Sequence, residues 1–422
     1  MPVRKKEVGE LENATNNKSG FKYLLAALGP GMILAATSVG PGSIVSFTNA
    51  GAGFGYTLCW WAVLILVFRA IFTIAMNKYT VVTGKPIMVG IRDTYGPVWA
   101  ILAGIFAFIG QCVYGIGNCI GVGLALVILF PAIPLPVGAI IGVVVCALLY
   151  FLKGLYKKIE SFMKVLIAIM VIIFIAAWIG TSSIPYDGTV SHSFFGMPDG
   201  ATAIMLSLMG TTASLGTVAY GSSLVKEKGF TTDDIKKKGI LADVFGGVVV
   251  LGIISLSCYF VGANLFPGSP IGTGMDLANG LAGVLGSFIR PVFGIAFLAA
   301  ALSSEMMAPK LGINLLLQAL GRKSGMENKS ENIISIIMMV FALIVVLSYG
   351  GVPAQLLTLA QIGGVINTPI LGLLTIMLIN RKSDMKEFKA SIGLTIALIV
   401  SYAAVLYMVV NNLIGVIKSF GG

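Results

Sequence analysis

Apolar residues fall along this chain in long runs, each near or beyond 20 residues, broken by short polar stretches. A helix needs about 20 consecutive apolar residues to cross a bilayer. Eleven runs meet that length, roughly 21–50, 54–77, 97–130, 134–152, 161–180, 201–225, 239–265, 283–308, 331–349, 353–380 and 390–417. The pattern predicts an all-α integral membrane protein. Residues 1–20 are polar and read as a cytoplasmic tail without a cleavable signal.

Two runs carry interruptions. The first reads ATSVGPGSIVSF, with Gly40, Pro41, Gly42 and Ser43 near its middle. Proline removes an amide donor and clashes with the preceding turn, and flanking glycines weaken the helix further. Unwound backbone at membrane depth is tolerated only where it is buried in protein or lines a watery cavity. The sixth run holds Gly210, Thr211, Thr212, Ser214, Gly216 and Thr217, a weaker break signal that a small-residue packing face also explains. The two runs lie five apart, so each begins a five-helix half: 21–180 and 201–380, with 390–417 as an additional span. Paired interruptions at matching places point to an inverted-repeat transporter with its site at the midplane.

Composition and charge agree. Hydrophobic residues make up 57% and charged residues 11%, with a mean hydropathy of +0.96. A soluble domain carries about 25% charged residues, so a soluble enzyme is excluded. The net charge of +11 is a matter of placement. With the N-terminus inside, every Lys and Arg except Arg69, Arg290 and Lys418 falls on the inner side, and the loops near 131–133, 181–200, 266–282 and 350–352 have none. This is the positive-inside pattern. It removes any need for a nucleic-acid partner; the expected partners are the lipid bilayer and a small-molecule or ion substrate, with a monomer favoured. The five cysteines sit in apolar runs and read as core residues; the one histidine, His192, reads as a solvated loop residue. No HExxH, GxSxG or nucleophile–His pair is present, so no enzyme and no cofactor is expected.

Charged groups inside spans are functional candidates. Glu305 reads as a gate or coupling group, or as a helix-end carboxylate paired with Lys310. Asp243 reads as interfacial, and Arg290 as snorkelling outward. Arg69 would pair with Glu305 or reach the interface. Tyr114 and Asn118, four apart, share one face of span three and serve either packing or a cavity.

The stretch from Gly40 to Trp61 resembles the first span of the Nramp metal-ion transporters, which read DPGN followed by an AGAxFGY run; Ala50 to Tyr56 keep the second half. Val81 to Pro97, Tyr156 to Leu166, Ser222 to Val225, Leu302 to Ser304, and Leu359 to Gln361 with Pro369 are similar to further family motifs, in order along nearly the whole chain. The resemblance implies a LeuT-type five-plus-five inverted repeat with broken helices 1 and 6 and an eleventh helix. It also implies where the metal site would lie, and there the chain departs. The family's metal-binding Asp and Asn fall on Gly40 and Ser43, its carbonyl-donating Ala on Thr211, its ligand Met on Ser214 and two His on Gly216 and Gly221. The acidic pair of span three falls on Gly115 and Asn118; Gln361 survives. No confident metal ligand remains. Gly40, Ser43, Asn118, Thr211, Ser214, Gly216, Thr217 and Gln361 are the expected substrate-binding residues, with Glu305 and Tyr114 as coupling or gate candidates. A small organic solute, moved by alternating access without proton coupling, is the leading expectation. The alternative is a divalent metal ion (Mn, Fe or Mg-like), bare or partly hydrated, as the resemblance implies.

The charge pattern predicts a cytoplasmic N-terminus and an extracellular C-terminus. A His192→Cys variant should react with an impermeant thiol reagent on intact cells. Reaction only after permeabilisation would reverse the topology.

Overall fold

The computed structural model describes residues 27–151, 155–184, 193–325, 327–348 and 353–420, so His192 lies outside the described residues. These residues are helical, and no strand occurs among them. The chain opens with a broken pair, α1 (Pro30–Ser38) and α2 (Pro41–Phe54), bent by 63°. α3 (Cys59–Thr83), the short α4 (Ile87–Tyr95), α5 (Pro97–Leu129), α6 (Leu135–Leu149) and α7 (Leu155–Thr181) follow. A second broken pair, α8 (Ala201–Thr212) and α9 (Leu215–Lys228), leads to α10 (Thr232–Lys236), α11 (Gly239–Leu265), α12 (Gly274–Leu285), α13 (Ile289–Ala319) and α14 (Lys329–Ser348). α15 (Pro353–Ile362), α16 (Thr368–Ile379), α17 (Lys382–Met385) and α18 (Ile392–Phe420) complete the order.

Among the described residues, the expected apolar runs fall mainly on helices. Among the described residues eight helices are long and apolar enough to cross a membrane, or nine with the bent pair; Leu135–Leu149 and Val165–Thr181 are shorter apolar helices. Large apolar side chains are exposed along the outside, among them Val63, Val67, Val144, Ile337, Ile344, Ile396 and Val400. A water-facing surface would not carry so much apolar area, whereas lipid accepts it.

Two boundaries differ from the sequence expectation. The eighth run was expected to start at 283, but Thr273 and Asp276 form a capping box that starts the separate α12, and Gly286 at φ 93° ends it. α13 therefore runs on to Ala319, which puts Lys310 inside a helix rather than in the loop after it. The tenth run also breaks: a 3₁₀ turn, Gly363–Val365, separates α15 from α16. The signal for that break was Gly363–Gly364 with Pro369 downstream. A Cβ on Gly364 would land on the Gly210 carbonyl, and one on Gly210 would land on the Gln361 carbonyl. Glycine at both places lets the sixth and tenth helices touch backbone to backbone.

The core is built on α5 packed along α13, with α11 lying against α1, α2 and α3. α1 has only nine residues and would be marginal alone. Asp243 of α11 holds its start: the Gly29 and Gly31 amides donate to the carboxylate at 2.7 and 2.9 Å. Asp243, expected at the interface, is buried and caps a helix whose first amides would otherwise lack acceptors.

Candidate functional site

The end of α1 can be accounted for carbonyl by carbonyl. The last four carbonyls of a helix have no partner within it. Here Ala35 accepts from the Val39 amide at 3.0 Å. Ala36 accepts from the Ser303 hydroxyl at 3.1 Å, Thr37 from Ser304 at 3.0 Å, and Ser38 from Thr211 at 2.9 Å. The Leu302–Ser304 motif thus supplies hydroxyls from α13 to a helix end 267 residues earlier.

Arg69 of α3 completes the arrangement. Its Nη1 donates to the Ser38 hydroxyl at 2.7 Å and to the Thr212 carbonyl at 2.5 Å, and its Nη2 donates to the Leu34 carbonyl at 3.0 Å. One guanidinium therefore ties the carbonyl ends of α1 and α8. Arg69 neither pairs with Glu305 nor reaches the interface; it is 2% exposed. The reason is the breaks themselves, whose carbonyl dipoles point at one spot.

The amide ends are less covered. Gly40 precedes α2 and Ser214 precedes α9, and neither start has a side-chain cap. Around them lie buried polar atoms with no hydrogen-bond partner: both amide atoms of Asn118, Gln361 Oε1, Asn367 Oδ1, and the hydroxyls of Thr212, Ser214 and Thr368. Asn118 Oδ1 and the Ser304 hydroxyl abut Gly40; a Cβ there would lie 3.0 and 2.9 Å from them. Gly42 and Gly117 flank the Gln361 amide, and Gly216 lies against the Asn367 amide. The space left by Gly40 and Gly216 is thus occupied by amide side chains. The Tyr114 hydroxyl stands beside Thr211 and Arg69 but closes no hydrogen bond of ordinary geometry. Ser43 and Thr217 are buried in the first turns of α2 and α9. Gly115 points elsewhere, toward Ala342 of α14.

Glu305 is fully buried, and both carboxylate oxygens lack hydrogen-bond partners. It is not paired with Lys310. One residue past Ser304 on a helix turns the side chain away from Gly40, and Glu305 sits near Cys119, Cys146 and Tyr150. Lys310 pairs with Glu331 of α14 at 3.7 Å, and its ammonium lies 5.5 Å from the Tyr150 ring centre. Asn314 donates to Glu331 at 3.4 Å, and Gln318 donates to Asn314 and Ser223 at 2.7 and 2.8 Å. This network joins α9, α13 and α14 beyond the breaks. Arg290 directs Nη2 to the Met275 sulfur at 3.4 Å.

Among the described residues no three His, Cys, Asp or Glu side chains converge as metal ligands. The meeting point of the breaks is oxygen- and amide-rich, with a resident guanidinium. Sequence reasoning missed Asn367, whose signal was an Asn in an apolar run two residues before Pro369, and the joining role of Arg69.

The family model described as natural resistance-associated macrophage protein-like matches residues 31–416. The curated divalent metal cation transporter MntH of Staphylococcus saprophyticus is 25% identical over 447 aligned positions, spanning 100% of this chain and 98% of that protein. The crystal structure of the Eremococcus coleocola manganese transporter has a TM-score of 0.76 at 18% identity, covering 93% of this chain and 87% of that one. A nucleobase-cation-symport-1 family transporter in a closed conformation has a TM-score of 0.56 at 14% identity, covering 93% of each chain.

Gly216→Ala should push the Asn367 amide from the break, since the added Cβ would clash with its nitrogen. The expected result is loss of ligand-induced thermal stabilisation with only a small fall in the ligand-free melting temperature. Equal loss of stability and binding would make Gly216 a packing residue only.

Proposed function

The chain belongs to the Nramp family and has its LeuT-type fold, and from that premise we propose that it moves a small solute by alternating access, holding it where the broken helices meet. The observation that carries this reading is the set of buried, unpartnered polar atoms at the breaks. Buried polar groups are nearly always satisfied, so such a cluster calls for a ligand or water. The atoms belong to Asn118 of α5, Thr212 of α8 and Gln361 of α15, and to Ser214 and Asn367, which immediately precede α9 and α16.

The cargo follows first from kinship. The curated relative covering the whole chain is by name a divalent metal cation transporter, and this supports a divalent metal ion better than the organic solute that the sequence put first. Neutral oxygens suit a hard ion that keeps part of its water, such as magnesium or manganese. With no carboxylate among the unpartnered groups facing Gly40, we expect weak binding, on the order of 10⁻⁴ to 10⁻³ M, as in charge-poor oxygen sites. One observation favours the second reading, a small neutral, zwitterionic or anionic organic solute: the Arg69 guanidinium already occupies the carbonyl ends that would attract a cation.

Thermal shift on the purified protein separates the two. A ligand at 100 times its Kd stabilises by about 2.7 kcal/mol. We expect Mg²⁺ or Mn²⁺ to raise the melting temperature of the wild type, and not of Asn118→Leu or Gln361→Leu. A response to amino acids, sugars or organic acids with none to divalent ions would overturn the metal reading.

We also propose that transport lacks the proton coupling the family resemblance implies. A coupled proton needs a group that changes charge during the cycle. Gly40, Gly115 and Asn118 stand at the family's carboxylate positions and cannot titrate. In proteoliposomes with a pH-sensitive dye, cargo should move without proton flux. Flux that disappears in Glu305→Gln would make Glu305 the coupling residue and sink this proposal.

A further inference from the structure

Carbonyl ends of broken helices carry partial negative charge and attract cations. Two such ends, those of α1 and α8, meet in this fold, and a side chain from a third helix fills the gap between them. The Arg69 guanidinium contacts Ser38 Oγ, the Thr212 carbonyl and the Leu34 carbonyl, all at 3.0 Å or less. Its hydrogen-bond partners are neutral oxygens, and among the described residues it makes no ion pair with a carboxylate. A buried charge without a counter-charge is expensive unless dipoles replace its water. Here the Thr212 carbonyl at the end of α8, with the Leu34 carbonyl and Ser38 hydroxyl in the last turns of α1, does so. The Ser38 hydroxyl already donates to the Leu34 carbonyl at 2.8 Å, so the guanidinium adds a second donor there and bridges that pair to the Thr212 carbonyl of the other break.

We propose that Arg69 is a tethered occupant of a monovalent-cation position, so that the wild type needs no dissociable Na⁺ or K⁺ to hold its two breaks together, and removal of the side chain opens a site for such an ion or for free guanidinium. The inference does not depend on which cargo is carried, since its readout is the stability of the ligand-free protein. Failure of the cargo reading would leave it intact, and its failure would leave the cargo reading intact.

The test uses the full chain, purified in detergent, as wild type and as Arg69→Ala, Arg69→Met and Arg69→Lys. Melting temperatures are recorded at matched ionic strength in sodium, potassium, tetramethylammonium and dilute, non-denaturing guanidinium chloride. The wild type should be indifferent to the choice of cation. Arg69→Ala should melt lower and recover most of the loss, saturably, with guanidinium and in part with Na⁺ or K⁺, but not with tetramethylammonium, which is too large for the gap. Arg69→Met fills the space with an apolar chain, so it should melt lower and show no recovery. Arg69→Lys keeps the charge and loses the planar fork, so it should fall between wild type and Arg69→Met. Loss in Arg69→Ala that no small cation restores would make Arg69 a packing residue and overturn the proposal, as would an Arg69→Ala protein as stable as the wild type. Should Arg69→Ala not survive purification, an Arg69→Lys protein no more stable than Arg69→Met would overturn it, because charge would then contribute nothing.

Discussion

Backbone polar groups cannot go unsatisfied inside a membrane, and a helix broken there exposes amides and carbonyls that must find partners. Everything particular about this structure follows from how that demand is met around α1. At one end the Asp243 carboxylate takes two amides; at the other, hydroxyls of Ser303, Ser304 and Thr211 take the last carbonyls and the Arg69 guanidinium takes that of Leu34 just before them. A carboxylate at the amide end and a cation at the carbonyl end both favour the helix dipole. The nine-residue helix is thereby fixed to α3, α8, α11 and α13.

The same economy shapes the chemistry. Family kinship brings the scaffold, and where the broken helices meet the side chains are hydroxyls and amides packed against glycines. The carbonyl end of α1 is met by internal donors. The unsatisfied groups are instead the amide side chains of Asn118, Gln361 and Asn367 and the hydroxyls of Thr212 and Ser214. A cargo that keeps a hydration shell, or one that brings its own hydrogen-bonding groups, meets such a surface better than a naked ion does. Beyond the site, the Lys310–Glu331 pair and its amide partners join three helices through charge that is fully buried. Removing one member of such a pair would leave the other uncompensated.

The parts of the candidate site that the sequence makes legible are local ones. Gly40–Pro41–Gly42 breaks a helix through its own backbone preferences, and Asn118 and Gln361 stand out as amides in apolar runs. Glu305 was equally visible, but its surroundings were not. Helical geometry turns it away from Ser304 toward Cys119 and Tyr150, and Lys310 finds Glu331 instead. The tenth-helix break does not follow from the apolar run, which is continuous there; the contact of Gly363 and Gly364 with α5 and α8 shows the close approach.

The sequence by itself determined the apolar spans, the placement of basic residues, the first break and the family likeness. Each depends on runs or motifs whose meaning is contained within a few turns of chain, since hydrophobic length and local φ/ψ preference need no distant partner. Only the tertiary structure decided who satisfies whom. Arg69 meets a carbonyl 143 residues away, Asp243 an amide 214 residues away, and Ser303 a carbonyl 267 residues away. A guanidinium in an apolar run could have snorkelled, paired with a carboxylate or capped a helix. The choice was made by which orphaned dipoles the packed helices brought within reach, and that is a property of three-dimensional arrangement rather than of any stretch of residues.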